Sequence, residues 1–203
     1  MIKSKHFLVS FKVLFGVLAL IAILTEILTL MSRGVFNPGN FFSFFTIESN
    51  IFAAIILLIS AYKINKKSRY SANFNLVRGA ATLYMITTGV VFSLLLSNLP
   101  ADLLTAVPWD NTVLHYIMPV VLLIDWIIDP PKKQLRFKNT LLWLIFPLLY
   151  ILYSLFRGLI VHWYPYPFLD PSTNGYGGIL LTSLGISFGV LLFSWCLNRI
   201  YKK

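Results

Sequence analysis

Six stretches of this 203-residue chain are apolar enough, for long enough, to dictate its architecture: Phe11 to Met31, Phe41 to Tyr62, Leu76 to Ser97, Asn111 to Asp129, Asn139 to His162 and Ile179 to Ile200. At a rise of about 1.5 Å per residue, each crosses roughly 30 Å of hydrocarbon as a helix. Lipid offers no partner to an open backbone amide, so such segments must satisfy their hydrogen bonds internally. The sequence therefore predicts an all-α, polytopic membrane protein: one six-helix transmembrane bundle filling residues 1–203, with short loops. A mean hydropathy of +0.78 with only 12% charged residues excludes an ordinary soluble domain.

The distribution of the basic residues gives an orientation. Lys3, Lys5 and Lys12 gather at the start of the first helix; Lys63, Lys66, Lys67, Arg69 and Arg78 surround the second loop; Lys132, Lys133, Arg136 and Lys138 fill the fourth; Arg199, Lys202 and Lys203 end the chain. The opposite side has Arg33 with Asp102, Asp110 and Asp170, while Arg157 lies within the fifth run. This asymmetry predicts cytoplasmic termini and a multi-pass protein of the cell (cytoplasmic) membrane. The net charge of +10 is thereby assigned to anionic headgroups. Nucleic acid is excluded as a partner, because no folded basic face remains to bind it.

The first run lacks a small-residue cleavage pattern and ends in Leu-Met-Ser-Arg, so it is expected to be retained as a helix. A single cysteine, Cys196, excludes an internal disulfide and a cysteine-clustered metal site, and no metal or other cofactor is expected. Arg33-Gly-Val-Phe-Asn-Pro-Gly-Asn is turn chemistry, and Pro130-Pro131 stops the fourth helix. Pro119 and Pro147 are expected to bend their helices. Gly185-Ile-Ser-Phe-Gly189 is a small-xxx-small pattern, read first as tight packing within the chain and second as a dimer contact.

Polar residues inside the apolar runs fall into two layers. Counting from the outer boundary, Thr46 lies roughly 8 Å deep in the second run at about 1.5 Å per residue, and His115 reaches a similar depth in the fourth. Glu26, Glu48 and Arg157 fall near the same level, with Arg157 paired to Glu26 or Glu48 as one arrangement. Thr46, Ser49, Asn50 and Ala53 follow an i, i+3, i+4, i+7 spacing and share an inward face. Glu48 lies about 200° around the helix from Thr46. In the inner layer, Arg78 is expected to pair with Asp125 and Asp129.

Threonine and histidine at one depth suit nucleophilic acyl transfer. A threonine hydroxyl needs an adjacent base, and imidazole is the side chain best poised to take its proton near neutral pH. Asn50, Ser49 and Arg157 are candidates for substrate contact or for stabilising an oxyanion, and Asp110 or Glu26 could reach His115 only across helices. The bland alternatives stay open: a membrane threonine commonly bonds the carbonyl four residues earlier, and a buried histidine can be a structural hydrogen-bonding group.

Phe44-Phe45-Thr46-Ile47 opening the second run, His115 followed ten residues later by Asp125, and Tyr166-Pro167-Phe168-Leu169-Asp170 after the fifth run carry a resemblance. They resemble the androgen-induced and androgen-dependent TFPI-regulating membrane proteins, and more nearly a bacterial branch of predicted six-transmembrane proteins. Animal members of that family are intramembrane threonine hydrolases acting on fatty-acid esters of hydroxy fatty acids. The resemblance implies that Thr46 is the nucleophile and His115 its essential partner.

The resulting expectation is an intramembrane lipid-ester hydrolase that uses Thr46 and His115 on fatty-acyl esters, with membrane lipids as its partners. A non-catalytic lipid-binding or regulatory membrane protein is the alternative. A transporter is the third, disfavoured because no inverted repeat is evident and no helix is broken at mid-membrane.

Overall fold

A computed structural model describes residues 4–100 and 105–201; Lys3, Asp102, Lys202 and Lys203 of the charge map lie outside the described residues. Among the described residues the regular structure is helical, without a strand. Six helices are long and apolar enough to cross a membrane: α1 (Lys5–Ser32), α2 (Phe45–Asn65), α3 (Ala72–Leu96), α4 (Pro108–Ile128), α5 (Phe137–Val161) and α6 (Pro171–Asn198).

Local capping explains where these helices depart from the apolar runs. Ser4 Oγ accepts from the Phe7 amide, so α1 starts at Lys5, well before the apolar run opens at Phe11. Lys12, grouped by charge with the basic residues ahead of the helix, lies two turns inside it and is fully buried. Asn37 Oδ1 accepts from the Asn40 amide and starts a one-turn helix, Pro38–Phe41. Phe44 then turns extended (φ −79°, ψ 125°), and α2 begins afresh at Phe45. Thr46 is consequently the second residue of its helix, not the sixth of a run from Phe41. Ser71 caps α3 through the Phe74 amide, and Asp170 caps α6 through Ser172.

Helices α2, α3 and α4 form the buried centre. Helix α1 packs along α2, α2 against α3, α3 against α4, and α6 against α3. Small residues set the first contact: Ala19, Ala22, Ala53 and Ala54 are fully buried, and a Cβ on Gly16 would sit 3.3 Å from the Ala54 carbonyl. Indoles fix the other side. Trp143 Nε1 donates to the Leu76 carbonyl (2.8 Å), its ring lying where a Gly79 Cβ would be 2.3 Å away, and Trp126 Nε1 donates to Leu197 (3.1 Å).

At the end of the bundle remote from Thr46, two cations meet two carboxylates. Arg78 pairs with Asp125 (3.1 Å) and Asp129 (3.2 Å), as the sequence predicts. Lys12 joins them, contacting Asp125 and lying 3.0 Å from Asp129. Tyr70 donates to Asp129 (3.1 Å) and lies under the Arg78 guanidinium, 4.6 Å from ring centre to Cζ. This neutral cluster ties α1, α3 and α4 together.

The Gly185 and Gly189 pattern does not serve the close packing expected of it. A Cβ on Gly185 would meet nothing within 4 Å, and one on Gly189 only the Phe193 ring at 4.0 Å. Both glycines face an open groove between α6 and α3.

Candidate active site

The first amides of any helix lack an intrahelical acceptor, and α2 has no side-chain cap. Tyr166, the extended residue just before the 3₁₀ turn Pro167–Leu169, fills part of that need: its Oη accepts from the Thr46 amide at 3.2 Å. The Thr46 side chain is also turned away from its own helix. Thr25, Thr82, Thr87, Ser60 and Ser97 all bond the carbonyl four residues earlier. Thr46 Oγ1 instead lies 3.2 Å from His115 Nε2 and 3.3 Å from Tyr166 Oη. The commonest structural role of a membrane threonine is thus not the one adopted here.

His115 stands on a π-helical turn, Val113–Ile117, where the Met118 amide reaches back to the Val113 carbonyl. Pro119 explains the distortion: it has no amide for the His115 carbonyl, so the α register cannot close at this point. The imidazole stacks on Phe92, with ring centres 3.9 Å apart and planes 21° from parallel. Its Nδ1 lies 3.1 Å from the Asn111 carbonyl oxygen. A carbonyl only accepts, so Nδ1 carries the hydrogen, and in the neutral ring Nε2 presents its lone pair to Thr46 Oγ1.

A hydrogen-bond order follows. Tyr166 Oη accepts from the Thr46 amide and has its own hydrogen available for Thr46 Oγ1; Thr46 donates to His115 Nε2; His115 Nδ1–H donates to Asn111. Burial raises the Tyr166 phenol above its ordinary pKa, which keeps that hydrogen in place.

The remaining sequence candidates occupy other positions. Ser49 and Asn50 are fully buried on the inward face with Thr46, as their spacing predicts. Asn50 Nδ2 donates to the Thr46 carbonyl (2.9 Å) and to Leu114 (3.2 Å), bracing α2 against α4 with both amide hydrogens spent. Ser49 Oγ has no partner among the described residues and lies outside the cavities at Thr46. Arg157 is not paired with Glu26 or Glu48: it donates to Asn40 Oδ1 (2.7 Å) and rests on the Trp163 ring. The one-turn helix that carries Asn40, absent from the sequence reading, supplies that neutral partner. Glu26 Oε1 accepts from the Ala106 amide (2.7 Å). Neither Glu26 nor Asp110 holds the imidazole, whose two nitrogens face Thr46 and Asn111.

Two cavities adjoin Thr46, and one of them also reaches His115. One, of about 210 Å³, is lined by Thr46, His115, Tyr166, Glu26, Phe44 and Leu96. A narrower one, of about 50 Å³, has Thr46, Tyr166 and Leu96 in the shared wall and continues past Thr87, Thr88 and Ile186. Thr46 therefore borders a chamber and a neck.

Comparison with known proteins returns no match: no family model, no curated protein and no solved structure. The sequence pattern points to Thr46 and His115 and assigns no chemical role to Tyr166, although Tyr166 opens the Tyr166-Pro167-Phe168-Leu169-Asp170 motif. Nothing local to a loop tyrosine indicates a partner 120 residues earlier.

Proposed function

We propose that this chain is a multi-pass protein of the cell membrane, with cytoplasmic termini, that hydrolyses fatty-acyl esters by threonine-based acyl transfer. The observation that carries the reading is the buried 3.2 Å contact between Thr46 Oγ1 and the unprotonated nitrogen of His115, on the wall of a cavity. The basic loops support the orientation, and the six apolar helices support the location.

In the first step Thr46 Oγ attacks the ester carbonyl carbon as its proton passes to His115 Nε2. The oxyanion so formed is stabilised by the Tyr166 hydroxyl, which swings from Oγ1, and by the positive end of α2. The C–O bond to the alcohol then breaks, with His115 returning the proton to the departing alkoxide. The acyl group now sits on Thr46 as an ester. Water, deprotonated by His115, attacks that ester; Thr46 leaves as alkoxide, recovers the proton, and the carboxylic acid is released. The Asn111 carbonyl holds the imidazole in the reactive tautomer throughout, a position that a carboxylate fills in many triads.

The test is covalent labelling of the purified protein with an alkyl fluorophosphonate, in which Thr46 Oγ bonds phosphorus and fluoride leaves. Labelling is expected at Thr46, lost in Thr46→Ala and reduced at least a hundredfold in His115→Ala. Labelling that persists undiminished in both variants overturns the assignment. Tight lipid retention without labelling or turnover points instead to a lipid-binding protein.

A further inference from the structure

The neck beyond Thr46 ends against α6, where a groove of about 410 Å³ opens between α3 and α6. Neck and groove share Thr87, Val91 and Ile186 in their walls. Val90, Leu94, Leu95, Phe188 and Phe193 make the rest of the groove strongly apolar, and the Thr87 hydroxyl is already spent on the Leu83 carbonyl. Gly185 and Gly189 leave its floor open, since no side chain fills the space above Gly185. From Thr182 to Phe193 the groove follows α6 for about 16 Å at ~1.5 Å per residue, close to half of the roughly 30 Å hydrocarbon core. That length matches one leaflet.

The neck contains a second signal. Thr88 is buried and lines it, yet its hydroxyl neither bonds back to its own helix nor finds another partner among the described residues. Thr25, Ser60, Thr82, Thr87, Ser97 and Thr112 do bond back, and of the buried helical hydroxyls left without a partner among the described residues (Ser49, Thr88, Ser154 and Ser194) Thr88 is the one that lines the neck, so it marks where a ligand's polar atom would sit.

We propose that the α3–α6 groove is a lateral portal for the acyl chain of a membrane lipid ester: the chain lies over Gly185 and Gly189, passes through the neck, and brings its ester group beside Thr88 and Thr46. The binding part of this proposal stands on the cavities alone, whereas delivery of a carbonyl for attack rests on Thr46 being the nucleophile. The occupant is apolar, about one leaflet long and polar at a single end, which is the chemistry of a fatty-acyl ester. A second copy of this chain would cover the glycines but leave the neck and Thr88 unaccounted for.

Two measurements separate this portal from the catalytic reading. First, phosphatidylcholine carrying a diazirine in the middle of one acyl chain is incorporated with the protein into vesicles, irradiated, and the adducts mapped by peptide sequencing. Adducts are expected on residues 87–95 and 182–193, reduced at least fivefold by Gly185→Trp with Gly189→Trp. Adducts spread evenly over lipid-facing residues such as Leu152 and Phe156, or unchanged in the variant, overturn the portal, as does a dimer that the same substitutions dissociate while leaving the adducts unaltered. Second, the protein is labelled with a hexadecyl and with an ethyl fluorophosphonate; the ratio of long-chain to short-chain labelling is expected to fall at least tenfold in the variant, and an unchanged ratio overturns the portal. If neither reagent labels the wild-type protein, threonine chemistry fails, while the diazirine map still decides the groove.

Discussion

Thr46 Oγ1 lies 3.2 Å from His115 Nε2, and the opposite nitrogen of that imidazole is 3.1 Å from the Asn111 carbonyl oxygen. The carbonyl sets the tautomer and the tautomer sets the direction of the Thr46 hydrogen bond. Thr46→Val keeps the shape of the side chain and removes only the hydroxyl, so under the proposed acyl transfer ester hydrolysis should fall by about three orders of magnitude or more. Thr46→Ser keeps a hydroxyl and should retain measurable turnover. Steady-state rates on a long-chain aryl ester check both, and a Thr46→Val protein with wild-type turnover would refute the nucleophile.

In the proposed step Tyr166 has a different part. Its hydroxyl touches the Thr46 amide and Oγ1 without being the base, so Tyr166→Phe should lower kcat by about 10²-fold, the scale of a lost oxyanion donor, with little change in KM. The pH dependence carries the sign of the buried phenol. Burial raises the Tyr166 pKa, so the proton is kept in the folded protein at pH values where an exposed phenol, with pKa about 10, is already half ionised. Any stability linked to it is present below that value and lost as the pH climbs above it. The rate should therefore show no decline from Tyr166 ionisation up to about pH 10. A decline that starts near neutrality and disappears in Tyr166→Phe would show that the phenol is not protected.

The six apolar runs and the inward face of Thr46, Ser49, Asn50 and Ala53 were legible because period and length are properties of one segment. Arg78 with Asp125 and Asp129 was legible because unpaired charges in lipid must find one another. Lys12, already the second residue of the run from Phe11, groups by charge with the loop lysines because the carboxylates that hold it inside the bundle, Asp125 and Asp129, are remote in sequence. Tyr166 could not be found from local pattern, since its role exists only when a loop folds over the start of α2. The two glycines of α6 look the same in sequence whether they face a helix or an open groove, and only the placement of α3 distinguishes these cases.

Lys12 yields a prediction about stability. It is fully buried between Asp125 and Asp129, and removing one partner of a buried ionic cluster leaves an uncompensated charge, at a cost of about 3–5 kcal/mol. Lys12→Met should lower the thermal midpoint in detergent accordingly. Lys12→Met combined with Asp129→Asn removes one charge of each sign and should recover much of the loss. A double-mutant cycle without such coupling would show that the Lys12 contacts contribute nothing to the folded state.

Gly89 links packing to the geometry of the Thr46–His115 pair. A Cβ there would lie 2.8 Å from Pro119 Cβ and 3.4 Å from the His115 carbonyl oxygen, so α3 and α4 approach closely just where His115 is positioned. Gly89→Ala must push the π turn away from α3, an overpacking cost of about 1–3 kcal/mol. Because Thr46 belongs to α2, the same push alters its distance to Nε2, and a misplacement of ~1 Å can reduce a rate about 10²-fold. The expected result is a protein that melts a few degrees lower while kcat falls 10- to 100-fold, by the same reasoning. Unchanged kcat beside a lowered melting temperature would restrict Gly89 to packing and show that the Thr46 to His115 distance does not depend on the α3 to α4 contact.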